Sequence, residues 1–389
     1  MIYLDNAATT IMDPRVVEIV TESMRRDFAN SGTVYQIGLD VKNRIEKARD
    51  EIAELLRVPA NYRIVFTSGG SESNNLFIKG SCLPGRAMAC LGLEHPSITD
   101  TLDYLFDSNQ LVCPQKEGRI DLAAIPHLKE KRVRLLCLSH VNNEIGSVNI
   151  PEEIAPVLKN SSARLFLDGV QAVRKLAITP ALWQSVAGYS ISAHKFHGPK
   201  GIGLLIYDPR IDIIPQIHGG KQQYGVRSGT LAPALILGLA QAMRLAVEQT
   251  SETQTHMRKL RNHLLEGLRD LSSRLPNLKI RFNSSAVDDP VRQSPAIVNF
   301  SFPPVEGEVL LHHLEEKNIY VGLGSACSAN SKEPSKILTG IGLSKEEARC
   351  SLRVSFSRQT TLEEIDIFLK EFSSAYELLY PTFCSAVTQ

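Results

Sequence analysis

Six short apolar runs punctuate the first two thirds of the chain: YRIVFTSGG, RAMACLGLEH, VRLLCLSHV, ARLFLDGVQ, GYSISAHK and GIGLLIYD. Each reads as a buried strand that ends in polar or small residues. Amphipathic patterns such as SESNNLFIKGSCL and PEEIAPVLKNS lie between them and read as helices. This alternation predicts an α/β fold with a largely parallel sheet covered by helices. Ligands of such sheets bind beyond the carboxyl ends of the strands, so chemistry is expected just after each run. A long helical pattern then extends from Leu235 to Leu275 and stops at Pro276. Its apolar face changes around EQTSETQTHMRKL, which predicts a hinge between domains. Beyond it PAIVNFSF, IYVGLG and SLRVSFS read as strands, flanked by helical EGEVLLHHLEEK and LEEIDIFLKEFSSAYELL. These predict a smaller α+β domain. No internal repeat or low-complexity tract interrupts the pattern.

Composition narrows the function classes. The chain has 389 residues, 43 basic and 42 acidic, for a formal net charge of +1. Such a balance asks for neither nucleic acid nor an anionic membrane. The most apolar stretch, LAPALILGLAQAM, is far shorter than the roughly 20 residues of a membrane span. The start, MIYLDNAATT, lacks the basic region and apolar run of a secretory leader, so a cytoplasmic location is expected. The seven cysteines (82, 90, 113, 137, 327, 350 and 384) form no C-x-x-C pair. A disulfide framework or zinc site is not expected, and a reducing compartment is. Cys137 reads as strand core, and Cys82, Cys90, Cys113, Cys350 and Cys384 as core or inert positions. Cys327 is different. It sits in GLGSACSANS with no bulky neighbour to bury it, as a presented thiol.

The strand ends carry the polar candidates. After RIVFT come Ser68, Gly69, Gly70 and Ser71, either an ordinary tight turn or a helix N-terminus open to an anion. His95 follows the second run, as a structural or a catalytic imidazole. Asn142 and Asn143 follow the third, as turn residues or ligand donors. Asp168 ends the fourth, with Gln171 three residues on; it is either a helix cap or an acid facing a buried cationic group. Ser192, His194 and Lys195 end the fifth. Lys195 reads as a solvated loop residue or as an amine whose head meets a carbonyl. Lys200 is set aside, because no Ser or Thr follows it to complete a P-loop. His194 and His197 have no cysteine or carboxylate partner at zinc-ligand spacing, so no metal is expected. Arg227, Ser228 and Thr230 lie in a glycine-rich loop that could meet phosphate or a partner subunit. Arg353 lies in a strand pattern, where a charge that cannot be neutralised needs a carboxylate or phosphate. Together these are the parts of a pyridoxal 5'-phosphate site: Lys195 for a Schiff base, Asp168 for the pyridine nitrogen, Gly70 and Ser71 with Thr230 for the phosphate, and Arg353 for an amino-acid carboxylate.

The segments YLDNAATT, FTSGGSESNN, EHPSI, VNNEIG, DGVQ, SAHKFHGPKGIG, RSGT and GSACSA, in this order, resemble the cysteine desulfurases of the NifS/IscS group over nearly the whole chain. The resemblance implies a fold-type I pyridoxal-phosphate transferase. Its large domain, 13–250, would carry a mostly parallel seven-stranded sheet; a small α+β domain, 1–12 and 251–389, would carry the cysteine loop. It implies conversion of L-cysteine to L-alanine, with sulfur passing to Cys327 as a persulfide. Lys195 would form the Schiff base, and His95 would stack on the ring and assist proton transfers. Asp168 would pair with the ring nitrogen and Gln171 with the ring hydroxyl. Gly70, Ser71, Ser192 and His194 would hold the phosphate, with Thr230 supplied by the other subunit of a homodimer. Asn30, Asn143 and Arg353 would bind the substrate carboxylate, and Asn143 also borders the cofactor. A sulfur-acceptor or iron–sulfur scaffold protein would be the downstream partner, with no direct nucleic-acid or membrane contact.

The chain departs from the family pattern in three places. Ser31 and Tyr35 replace a Pro and a His in the loop NSGTVYQIG. Lys221, Gln223 and Tyr224 alter the glycine-rich segment HGGKQQYG, where changed dimer contacts or a changed pocket entrance are expected. The tail YPTFCSAVTQ does not resemble the longer tail with which some members dock an iron–sulfur scaffold. A selenocysteine lyase or aminotransferase on the same fold, and a non-catalytic sulfur carrier, are the competing readings.

Overall fold

The computed structural model describes residues 1–83, 85–107, 111–159, 161–284, 288–324 and 333–387. Cys327 lies outside them. The strands are β1 (Ile2–Tyr3), β2 (Arg63–Thr67), β3 (Ala87–Leu91), β4 (Leu111–Cys113), β5 (Gln115–Lys116), β6 (Arg119–Ile120), β7 (Val133–Ser139), β8 (Arg164–Asp168), β9 (Gly188–Ser192), β10 (Gly203–Tyr207), β11 (Arg281–Phe282), β12 (Ile297–Ser301), β13 (Ile319–Tyr320) and β14 (Ser351–Ser355). Each of the six apolar runs becomes a strand of the central sheet, whose order is β2-β10-β9-β8-β7-β3-β4. All neighbours pair in parallel except β10, which is antiparallel to both β2 and β9. The mostly parallel seven-stranded sheet expected from the sequence is therefore present. The carboxyl ends of β2, β3, β7, β8 and β9 reach one edge together, and the start of β10 joins them there.

Helices cover both faces of the sheet because its strands are apolar on both sides. Val65, Cys90, Cys137, Phe166 and Leu205 pack with Leu76 and Phe77 of α3 (Gly70–Gly80) on one face. Phe66, Leu91, Leu136, Leu167 and Ile206 belong to the larger core on the other. Helix α1 (Pro14–Arg26) starts where Asp13 accepts from Arg15 N and Pro14 fixes the first turn. Helices α1 and α2 (Gln36–Leu55) pack on the helix Pro233–Glu248. That helix ends at Gln249, and a new one, Thr250–Arg274, follows at once. The expected change of face is thus a break between two helices. Leu260, Leu264 and Leu268 repeat every four residues along the second helix, which packs against the helix Leu362–Val387.

The carboxyl-terminal region builds a three-stranded antiparallel sheet, β11-β12-β14. Phe300, Phe302 and Phe372 pack ring against ring beneath it, with centroids 5.2–5.7 Å apart. The amino terminus joins this region, since β1 pairs in parallel with β13. Cys137 is strand core as expected; Cys90, Cys113 and Cys350 are also buried, and Cys82 and Cys384 are half-buried. Among the described residues no helix is long and apolar enough to cross a membrane.

Candidate functional site

The strand ends converge on Lys195. Its Nζ donates to the carbonyls of Ala7 and Ala8, each at 2.7 Å. The amine therefore points back to the amino-terminal segment, which crosses the carboxyl ends of the strands. Thr10 ties that segment down: its N and Oγ1 donate to His194 O, and its Oγ1 accepts from His197 N. His197 donates from Nδ1 to Ile11 O, which is a structural use of the imidazole.

Asp168 is buried at the end of β8. Its Oδ1 accepts from Val170 N at 2.9 Å and its Oδ2 from Asn74 Nδ2 at 2.7 Å. The same Asn74 nitrogen donates to Ser97 Oγ at 2.8 Å, leaving the Ser97 hydroxyl to donate to His95 Nδ1. Ser97 N also donates to His95 Nδ1. Two donors on Nδ1 place the proton of the neutral ring on Nε2. Burial keeps the ring neutral, pulling its pKa below the usual value; Asp168 opposes that shift and Lys195 adds to it. Glu94, beside it, is pushed up to about 8 by burial, although Ser139 donates to it from both N and Oγ.

The small residues after β2 form the expected helix N-terminus. Gly69 caps α3 with φ +155, a conformation that favours glycine, and a Cβ at Gly203 would meet Gly69 Cα at 2.7 Å. This close approach of β10 to the turn leaves a cavity of about 440 Å³ lined by Ala8, Thr9, Gly70, Ser71, Ser192 and His194. Backbone N–H groups at a helix start, hydroxyls and a nearby lysine suit an anion there. That lysine is Lys200, the residue set aside in the sequence, and it lines the cup. His194 Nδ1 lies 3.0 Å from Thr9 Oγ1, and burial first, then Lys195, Lys200 and Lys175, lower its pKa to about 4. At the rim Arg227 pairs with Glu72 at 2.8 Å.

Arg353 is 2% exposed, and the expected carboxylate partner is Asp5, with Nη2 2.6 Å from Oδ1. Nη1 donates to Asn143 O, which brings Asn143 to this guanidinium through its backbone. Gly322 makes the room: a Cβ there would lie 2.9 Å from Nη2 and 3.0 Å from Nε. Nε has no partner among the described atoms. Gln171 Nε2 donates to Ala7 O, the same carbonyl that Lys195 reaches.

Two expected site residues lie elsewhere. Asn30 is exposed, with Oδ1 accepting from Gly32 N, and it lines a separate cavity of about 270 Å³ with Thr230, Gln223 and Tyr224. Tyr35 is exposed before α2. Gln223 is buried and bonds both Phe66 N and Phe66 O at 2.7 Å, covering the open edge of β2. Tyr224 stacks on Arg49 and Arg63. Sequence reasoning assigned no role to Asn74, Ser97 or Asp5, although FTSGGSESNN, EHPSI and YLDNAATT contain them. No cluster of metal-ligating side chains occurs among the described residues.

Residues 2–368 match the family described as aminotransferase class-V. The cysteine desulfurase IscS of Vibrio vulnificus is 37% identical over 97% of this chain and 93% of its own length. That of Klebsiella pneumoniae is 38% identical over 94% and 90%. Among solved structures, a NifS-like protein superimposes with a TM-score of 0.87 at 30% identity, covering 97% of this chain and all of that one. A NifS-like protein from Rickettsia africae gives 0.84 at 30% identity, covering 97% and 99%. SspA in complex with cysteine gives 0.75 at 30% identity, covering 93% and 100%. With its fold, its strand-end lysine and acid, and these likenesses across nearly its full length, the chain belongs to the class-V aminotransferase family of pyridoxal-phosphate enzymes, among the cysteine desulfurases.

Proposed function

We propose that this protein converts L-cysteine to L-alanine with pyridoxal 5'-phosphate and passes the sulfur to Cys327. The observation that carries the reading is the convergence of Lys195, Asp168 and the small-residue cup on one sheet edge, with buried Arg353 and Lys195 both reaching the amino-terminal segment. The residues present fit the cofactor. The cup suits its phosphate, Asp168 its ring nitrogen and Gln171 its ring oxygen, and the Arg353 guanidinium, which holds the Asp5 carboxylate here, suits a substrate carboxylate. When bound, the cofactor supplies an electron sink that weakens the bonds at the Cα and Cβ atoms of the amino acid.

The chain's own residues divide the remaining work. Gly70 and Ser71, at the start of α3, hold the phosphate with Ser192 and His194. Arg353 and Asn143 orient the substrate, with Asn30 reaching the same carboxylate once a partner subunit is in place. Lys195 takes the Cα proton. His95, held neutral with its proton on Nε2, would border the ring and assist proton transfers. Cys327 thiolate forms a bond to the substrate sulfur as the C–S bond breaks; the electron pair passes to Cβ, which gains a proton, and Lys195 returns a proton to Cα. The products are alanine and a Cys327 persulfide. A free thiol of pKa ~8.5 is mostly protonated at neutral pH, so the site must favour the thiolate.

A homodimer, in which Thr230 completes the partner's phosphate cup, accounts for the distance of Thr230 from this chain's own cup. Two units, 13–250 and 1–12 with 251–389, fit the helix break at Gln249 and the β1–β13 pairing. The protein works in the cytoplasm on this reading, and a sulfur-acceptor or iron–sulfur scaffold protein receives the persulfide sulfur. The test is alanine and sulfide release from L-cysteine with a thiol reductant. Wild type should yield both, and Cys327→Ala should lose both. No alanine from a protein that carries the cofactor overturns the reading.

A further inference from the structure

Lys175 is an amine with no place in the chemistry above, yet it lies within the same network. It is 4% exposed, and its Nζ donates to Gln171 Oε1. Gln171 Nε2 donates to Ala7 O at 2.8 Å, and Lys195 Nζ reaches that carbonyl at 2.7 Å. Lys175 therefore stands one side chain behind the catalytic amine. A carboxamide has an accepting end and a donating end of nearly equal shape, and its neighbours decide which faces where. An ammonium donates and cannot accept, so protonated Lys175 holds Oε1 toward itself, while Ala7 O, which can only accept, holds Nε2 on the other side. Nε2 is thereby turned to the side of the site. Burial, with Lys195 and Arg353 close by, lowers the pKa of Lys175 to about 7. A group that served only to fill space here would be cheaper as an aliphatic side chain, since burying an unpaired cation is costly.

We propose that Lys175 is a positioning residue: it fixes the carboxamide of Gln171 so that its N–H, and not its carbonyl, faces the ring oxygen of the cofactor. This rests on the pyridoxal-phosphate reading of the site. Without Lys175, Ala7 O alone opposes a turn of the carboxamide that brings its oxygen toward the ring oxygen, and one donor is lost in the turned state.

The test compares wild type with Lys175→Met, Lys175→Arg, Gln171→Ala and the double variant Lys175→Met/Gln171→Ala. The readouts are the visible absorbance of bound pyridoxal 5'-phosphate and its Kd. Lys175→Met should shift the absorbance band and weaken cofactor binding about fivefold, the effect of one hydrogen bond. Lys175→Arg, which keeps a donor, should restore both. In the Gln171→Ala background, Lys175→Met should add nothing. A wild-type spectrum and Kd in Lys175→Met, or an effect that persists undiminished without Gln171, overturns the proposal. Should Lys175→Met not fold, Lys175→Arg decides, because a shift as large as that of Gln171→Ala contradicts retention of the donor. Wild type that takes up no pyridoxal phosphate instead overturns the cofactor reading, a result distinct from either.

Discussion

The floor of the site and its rim are built in opposite ways. On the floor, Asp168, Asn74, Ser97 and His95 are joined by short hydrogen bonds, and Lys195 is held by two carbonyls. These groups are largely buried and have fixed orientations within a single chain. On the rim, Asn30 and Thr230 are exposed and line a cavity of their own, away from the cup. On the proposed reading, the contrast means that one chain pre-organises the half of the site that would hold the ring, while the half with Asn30 and Thr230 awaits a partner subunit. Pre-organised polar groups stabilise developing charge without reorganising, which is why the floor is the place for a dense network.

Three changes test this division, in decreasing order of effect. Asn74→Leu removes the one nitrogen that ties Asp168 to the Ser97–His95 pair. Alanine formation from L-cysteine should fall in kcat/KM by roughly 10- to 100-fold, the range for a lost hydrogen bond to a charged group. A loss smaller than that of any rim variant would reverse the comparison. Thr230→Val should weaken pyridoxal phosphate binding only about fivefold. Mixed with a phosphate-cup variant of the other chain, it should give heterodimers with one intact site; failure of such mixtures to recover activity would remove Thr230 from the partner's cup.

The smallest effect concerns pH. Burial lowers His140, His194 and His197 to about 4, so the unfolded chain binds protons below about 6.5 that the folded chain refuses. Their contribution to stability is complete above that pH and is lost as the pH falls toward 4. The urea midpoint should drop across this window, and His140→Asn should make the drop shallower. An unchanged slope would count against burial as the cause.

Much of this architecture was legible because it is written in local patterns. Apolar runs marked the strands, and the rule that ligands sit at strand ends led to Lys195, Asp168 and Gly70. What was not legible depends on partners distant in sequence. Asp5 and Arg353 are 348 positions apart, and Asn74 meets Asp168 across 94. No periodicity reports such pairs. The antiparallel direction of β10 was hidden for the same reason, and with it the place of Lys200 at the cup. Gln223, a departure from the family pattern, reads locally as a loop residue; only the sheet order shows that it covers an edge strand.

The amino-terminal segment has a consequence for how the protein is made. Asp5 needs Arg353, β1 needs β13, and Ala7 and Ala8 meet Lys195. The segment of Asp5, Ala7 and Ala8 thus leaves the ribosome long before Arg353 and is among the last to find its partners. Until some 350 residues have been synthesised, the carboxylate-binding arginine does not exist and the strap over the amine has nothing to anchor it. Such long-range closure slows assembly. It also means that a truncated or stalled chain holds the strand-end lysine without the apparatus that would put it to use.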